Sequence, residues 1–405
     1  MNMKLAAVIV MTLVFLYQLW LAMLEKRSAG NPVPANVADV YDPESYRKWK
    51  SYHEEKLRID FINSAGSFAI SLILILTNAY AAFAGLFPGG DFMQLLAVVL
   101  LSGLADLLLL PVSWYDTMVI EEKYGFNRTD KKTFWQDTVK TLLIGFVLMT
   151  VIAALLMVIY KALGDWVVVV FACAMTLLML AITFLFPYLS RIFNKFTPLE
   201  DGELKDSVTA LLEKHGYTVR AIQVMDASRR STKSNAYFTG FGKMKTIVLY
   251  DTLVQGFTPD EICAVFAHEM GHGLHKDTLK NQILTFVQML ILGVLAWLTV
   301  RSDALFVPFG FAGVNYGFAL ILILSVEFAL ISPLMGLAES AFSRKAEYRA
   351  DAQAVEEGYG ESLISALKKL ARENFANLSP DPLLVKLTYS HPTISQRIDA
   401  IEAGK

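Results

Sequence analysis

The sequence predicts a mainly α-helical, polytopic membrane protein: seven transmembrane helices and a small α+β domain on one side of the bilayer. Three observations predict it. Hydrophobic residues make up 55% of the 405, charged residues only 18%, and the mean hydropathy is +0.44; an ordinary soluble domain carries about 25% charged residues. Seven apolar runs approach the ~20 residues that a helix needs to cross a bilayer, near 5–24, 65–87, 92–114, 141–160, 166–187, 283–300 and 304–332. Finally, 33 of the 36 lysines and arginines fall in alternate inter-run segments.

The first run is longer than the 7–15 residues of a signal-peptide core, and no small-residue cleavage site follows it, so it reads as an uncleaved span. The segments before run 1 and after runs 2, 4 and 6 carry only Lys4, Lys161 and Arg301. The positive-inside rule then puts the N-terminus outside and the C-terminus in the cytoplasm. This divides the chain into 1–188, with spans 1–5 and cytoplasmic loops 25–64 and 115–140; 189–282, the first soluble part; 283–332, spans 6 and 7; and 333–405, the second soluble part. Both soluble parts face the cytoplasm and can form one domain. Asp106 and Glu327 lie inside spans, where an acid faces protein interior or water.

The net charge of −2 excludes nucleic acid as the main partner, because phosphate binding needs a basic excess. Two cysteines, Cys173 and Cys263, are too few for a disulfide framework or a multi-cysteine metal site. Cys173 falls in a span, and Cys263 reads as a core residue.

In the first soluble part, 204–215 reads as an amphipathic helix ended by Gly216, and 219–225 alternates like a strand. Segments 235–241 and 246–250 are β-rich around Gly240 and Gly242, which predicts a hairpin. Thr258, Pro259 and Glu261 then form the start of a helix over 259 to about 275: an N-cap, a proline at the first helical position and the second half of a capping box.

That helix carries His268-Glu269-Met270-Gly271-His272. Histidines at i and i+4 share a face, so both imidazoles can bind one Zn²⁺, with Glu269 beside them to take a proton from the attacking water. A catalytic zinc needs a third protein ligand. His275 is nearest but sits on the same helix, and reads as a surface or supporting histidine. Glu347 is the stronger candidate, in a predicted helix over 336–357, with Asp351 one turn later. An acid so placed can hold the free N–H of a ligand histidine and set its tautomer.

Further segments carry a resemblance: Glu121-Glu-Lys-Tyr-Gly-Phe-Asn127, Ser234-Asn-Ala-Tyr-Phe238, Ile247-Val-Leu-Tyr-Asp-Thr-Leu253, the 268–272 motif, 343–351 and Ser390-His-Pro392. With these the chain resembles the zinc-dependent CAAX prenyl protease 1 family, integral membrane gluzincins with seven spans. The resemblance implies one Zn²⁺ on His268, His272 and Glu347, Glu269 as general base, and Asn235 and His391 close to the reaction centre. It also implies that the spans form a barrel-like, water-filled chamber, whose wall would hydrate Asp106 and Glu327.

Physical roles fit these positions. An edge strand at 234–238 would pair with an extended peptide through Asn235 and Ala236. His391 would donate a hydrogen bond to the oxyanion. Arg397 either supports the site or pairs with Glu402. The partners implied are the lipid bilayer and a peptide or protein substrate, in this family one whose C-terminal CAAX cysteine carries an isoprenoid. Short loops and no obvious retention signal at 402–405 favour a bacterial inner membrane, with the endoplasmic reticulum membrane as the setting in a eukaryote. Two other readings are a quality-control membrane zinc protease, against which the 121–127 motif speaks, and a non-catalytic transporter or scaffold on the same fold, against which Glu269 speaks.

Overall fold

A computed structural model describes residues 3–239 and 244–404. Long apolar helices dominate it. Met3–Ser28 and Pro43–Leu76 pack on each other, with Phe15 and Phe68 stacked at 4.6 Å. Asp91–Asp106 runs on through 3-10 and π turns to Tyr124. Lys131–Leu163 and Val167–Leu189 follow, then Asp277–Val300, and finally Tyr316–Leu322, which continues through a π turn into Ala329–Glu356. Among the described residues, six helical stretches are long and apolar enough to cross a membrane. The fourth, Lys131–Phe186, is broken at Gly164, whose φ of 55° no β-branched or bulky residue adopts readily. Leu143, Val147, Val158 and Leu177 on its outer surface are 57–66% exposed, as lipid-facing side chains would be.

Two runs depart from their predicted limits. The stretch 304–332 becomes α-helical only at Tyr316; before it lie two short 3-10 turns, Asp303–Leu305 and Val307–Phe309, the second containing Pro308 and ended by a left-handed Gly310. The stretch 65–87 breaks after Leu76, where Asn78 adopts φ 57°, and resumes as the short helix Ala79–Gly85.

The soluble elements surround a four-stranded sheet of β1 (Phe196–Pro198), β2 (Thr218–Met225), β3 (Ala236–Thr239) and β4 (Met244–Tyr250), in the order β1-β2-β4-β3. β2 and β4 are parallel, and the other two pairings antiparallel. β3 is therefore an edge strand among the described residues. It pairs with β4 from Ala236 opposite Leu249 to Thr239 opposite Thr246. The connection at 240–243 lies outside the described residues.

Alternation along β4 sends Ile247 and Leu249 into one apolar cluster and Val248 into another. The larger cluster joins these strands to Ile262 and Phe266, to Leu363 and Leu367 of helix Gly360–Glu373, and to Ile398 and Ile401 near the C-terminus. Val37, Tyr41 and Trp49 enter the same core. Tyr41 donates to the Ala371 carbonyl at 2.9 Å and Trp49 to the Phe375 carbonyl at 3.1 Å. The segment after the first long helix is thus built into the soluble domain.

Candidate metal centre

The helix that carries the histidines, Pro259–Leu274, starts as its sequence dictates. Thr258 Oγ1 accepts from the Glu261 amide at 3.3 Å, and Glu261 returns the bond to the Thr258 amide at 2.9 Å. Glu261 also accepts from Ser365 and Lys369, both at 2.6 Å. Burial raises its carboxyl, but those partners more than offset this and hold it below the ordinary glutamate range. Ile262, Cys263, Phe266, Ala267 and Met270 fill the inner face. Burial pushes the Cys263 thiol up to about 11, so this cysteine is an inert core residue.

Gly271 decides where this helix meets the long helix Ala329–Glu356. A Cβ on Gly271 would stand 2.8 Å from Ala350 Cα and 3.0 Å from Gln353 Cβ. With only hydrogen there, the two backbones close together, and His268 and His272 face Glu347. His268 Nε2 lies 3.6 Å from Glu347 Oε2, and His272 Nε2 lies 3.2 Å from Oε1. One donor atom from each of the three residues lies within 4.8 Å of the other two.

Each imidazole is held from behind. His268 Nδ1 is 2.8 Å from Asp351 Oδ1, and His272 Nδ1 is 3.3 Å from Asp277 Oδ2. A carboxylate only accepts, so each Nδ1 carries the proton and each Nε2 keeps its lone pair for the centre. Both carboxylates are held in turn. Arg397 forks onto Asp351, at 2.6 Å from Nη2 and 2.9 Å from Nε, and its Nη1 lies 3.4 Å from Glu347. Arg349 and Lys280 donate to Asp277 at 2.8 and 3.2 Å.

These residues fit a metal. Glu347 is 3% exposed, yet its Oε2 is buried and forms no well-directed hydrogen bond, although His391 Nδ1 lies 2.8 Å away. A buried carboxylate whose two oxygens each face an imidazole Nε2 is what a cation satisfies. Burial pushes the His272 imidazole down, but Glu347, Glu269 and Asp277 outweigh it and leave it above the ordinary histidine value. For Asp277, burial is likewise outweighed, by Lys280, His272 and Arg349, and the carboxyl is lowered.

The structure brings His268, His272, Glu347, Asp351, His391 and Arg397 into one cluster. Arg397 engages Asp351 and lies 3.4 Å from Glu347. Glu269 is half-buried on the same helix as the histidines. Asn235 and Ala236 stand at the start of the edge strand: the exposed Asn235 accepts from the Tyr250 amide through its carbonyl at 3.1 Å, and from the Ala236 amide through Oδ1 at 2.8 Å. His275 is exposed beyond the helix end.

In the membrane part, Asp106 lines a cavity of about 200 Å³ with Tyr80 and four serines, Ser67, Ser71, Ser102 and Ser325. Glu327 accepts from Thr299 at 2.7 Å. Sequence reasoning missed Asp277. An acid five residues beyond His272 was visible, but Lys276 turns the chain back through a left-handed backbone, φ 56°, that no glycine or asparagine advertised.

Known proteins match along the whole chain. Residues 22–195 fit the family described as CAAX prenyl protease N-terminal, five membrane helices, and residues 198–405 fit Peptidase family M48. The chain is 32% identical to CAAX prenyl protease 1 of Saccharomyces cerevisiae, covering 91% of this chain and 88% of that one. It is 28% identical to the CAAX prenyl protease 1 homolog of Homo sapiens, covering 97% and 94%. The crystal structure of S. mikatae Ste24p superposes with a TM-score of 0.91 at 29% identity over 99% of both chains. The Peptidase family M48 match implies a metal, and the His268, His272 and Glu347 cluster supplies donors for it. This chain, a multi-pass membrane metallopeptidase, belongs to the CAAX prenyl protease 1 family.

Proposed function

We propose that this protein is a zinc endopeptidase that cleaves near the C-terminus of CAAX-type peptides whose cysteine carries an isoprenoid. The names of its relatives support the substrate class. Two imidazoles and one carboxylate, with a fourth position left for water, form the donor set typical of catalytic zinc. The observation that carries the reading is the pair of locked histidines: Asp351 and Asp277 each hold an Nδ1–H, so both Nε2 atoms converge on the point that Glu347 faces.

His268, His272 and Glu347 hold the metal. Bound there, zinc supplies a Lewis acid that polarises a carbonyl and eases proton loss from water. Glu269 takes the proton of the attacking water and delivers it to the leaving amine nitrogen, so the peptide bond is exchanged for a carboxylate and an amine. His391 donates a hydrogen bond to the oxyanion that develops on the carbonyl. The substrate backbone adds to the free edge of β3, with Asn235 and Ala236 at its start. The helical run Lys131–Phe186 serves as a hairpin of two spans, which makes seven in all. The basic-residue asymmetry supports a metal domain on the cytoplasmic face, of the inner membrane in a bacterium or of the endoplasmic reticulum in a eukaryote.

The test is to incubate the purified protein with a farnesylated CAAX peptide and its unprenylated twin, and to map the products by mass spectrometry. Cleavage of the lipidated peptide alone is expected. Equal cleavage of both, or preference for unfolded membrane proteins, would replace this reading with quality-control proteolysis.

A further inference from the structure

The segment Glu121–Asn127 takes no part in the metal cluster, yet it is tied to the start of the edge strand. Backbone bonds zip the two together: Asn127 bridges Ser231, the Thr232 amide donates to the Phe126 carbonyl at 3.1 Å, and the Arg128 amide donates to the Arg230 carbonyl at 3.0 Å. Side chains add to this. Glu121 Oε2 faces Lys233 Nζ at 3.6 Å, and the same ammonium sits 4.8 Å over the Phe126 ring. Glu121 is fixed on its other side by the Tyr52 hydroxyl, at 2.8 Å, and by Lys56, at 3.3 Å. The pair is therefore one part of a half-buried network rather than an isolated surface bridge, which would contribute little.

The opposite flank is held as well. Ser234 donates to Glu373 at 2.8 Å, and Thr252 donates to the Lys233 carbonyl at 3.1 Å. Two residues past Glu373, Phe375 adopts φ 50°, a backbone that an aromatic residue keeps only where its surroundings impose it. Its ring meets Phe126 edge-on at 4.9 Å. Residues 230–234 are thus gripped from both sides, and the next two, Asn235 and Ala236, open β3. Among the described residues that strand has four residues and one paired neighbour, so its own ladder anchors it weakly.

We propose that Glu121 and Lys233 are positioning residues: through them the end of the third membrane helix, with the turn after it, sets where Asn235 and the β3 edge stand relative to the metal centre, and hence how a peptide lies across it. The proposal rests on the reading of β3 as the peptide-binding strand. A displaced edge pairs less well with the peptide backbone in the ground state and the transition state alike, while the metal ligands, on other elements, stay in place.

The test uses the full-length protein in nanodiscs, with Glu121→Gln, Lys233→Met and the charge-conserving Lys233→Arg. For the first two, KM for a farnesylated CAAX peptide should rise about tenfold. Their kcat should stay within about twofold, with metal content per chain unchanged and faster amide exchange over 230–236. Lys233→Arg should restore wild-type values, which a general folding defect would not allow. Unchanged KM together with unchanged exchange overturns the proposal, as does loss of metal in step with KM. Faster exchange with unchanged KM would instead show that β3 does not carry the peptide, which removes the reading beneath it. Failure of the wild-type protein to cleave the peptide at all would refute the assigned function rather than the positioning.

Discussion

Gly271 of the histidine helix faces Ala350 of the long helix so closely that a Cβ on the glycine would stand 2.8 Å from the alanine Cα. That contact sets the spacing across which two histidines from one helix meet Glu347 from the other. Gly271→Ala must push two backbones apart, so it should destabilise the protein by about 1–3 kcal/mol and lower its metal content. Thermal unfolding and elemental analysis of the purified variant check this; a full metal complement would mean that the crossing tolerates the shift.

Glu269 stands next to His268 and is assigned the proton transfers. Glu269→Gln keeps shape and polarity but cannot accept a proton. Turnover should fall by about 10²–10⁴-fold while the metal stays bound. Wild-type turnover by this variant would remove Glu269 from the mechanism.

Asp277 lies 3.3 Å from His272 Nδ1 and is held by Arg349 and Lys280. Without it the imidazole loses both its orientation and its fixed tautomer. Asp277→Ala should weaken metal binding by about 10–100-fold, measured by competition with a chelator of known affinity. An unchanged dissociation constant would leave Asp277 a purely structural role.

Arg397 and Asp351 form a buried two-pronged ion pair. Arg397→Met strands a buried carboxylate and should cost about 3–5 kcal/mol. The double variant Asp351→Asn/Arg397→Met removes both charges, so it should unfold at a higher temperature than Arg397→Met alone. The opposite order would show that the pair is not the source of the loss.

The Glu261 carboxyl is held below its ordinary value by Lys369, Ser365 and the Thr258 amide, against the effect of burial. A lowered folded-state value means that the stabilisation is present above the unfolded value, about 4.3, and is lost as the pH falls through the folded one. Wild type should therefore exceed Glu261→Gln in melting temperature at pH 7, and the gap should narrow below about pH 4. A gap independent of pH would assign the whole effect to packing.

Much of the site was legible because its chemistry is local. Two histidines at i and i+4 share a helical face whatever else the chain does, and a capping box fixes where that helix starts. Glu347 and Asp351 were legible as a pair for the same reason. Asp277 was not, because its approach to His272 depends on a left-handed Lys276 that local preference disfavours. The role of Arg397 was not either: 46 residues separate it from Asp351, and a neighbouring acid, Glu402, offered an equally good partner.

The sequence by itself determined the apolar runs, the capped histidine helix and the β-rich segments 236–239 and 244–250, because periodicity, capping and β-propensity act over a few residues. Tertiary structure alone decided that helix 259–274 crosses the long helix at Gly271, that His268 and His272 each have their own carboxylate, and that segment 121–127 grips the residues leading into β3. Those contacts join residues far apart in the chain, and they form only when two apolar clusters, one drawn from Ala29 to Ile401 and one joining Tyr52 to Phe126, bring the segments together.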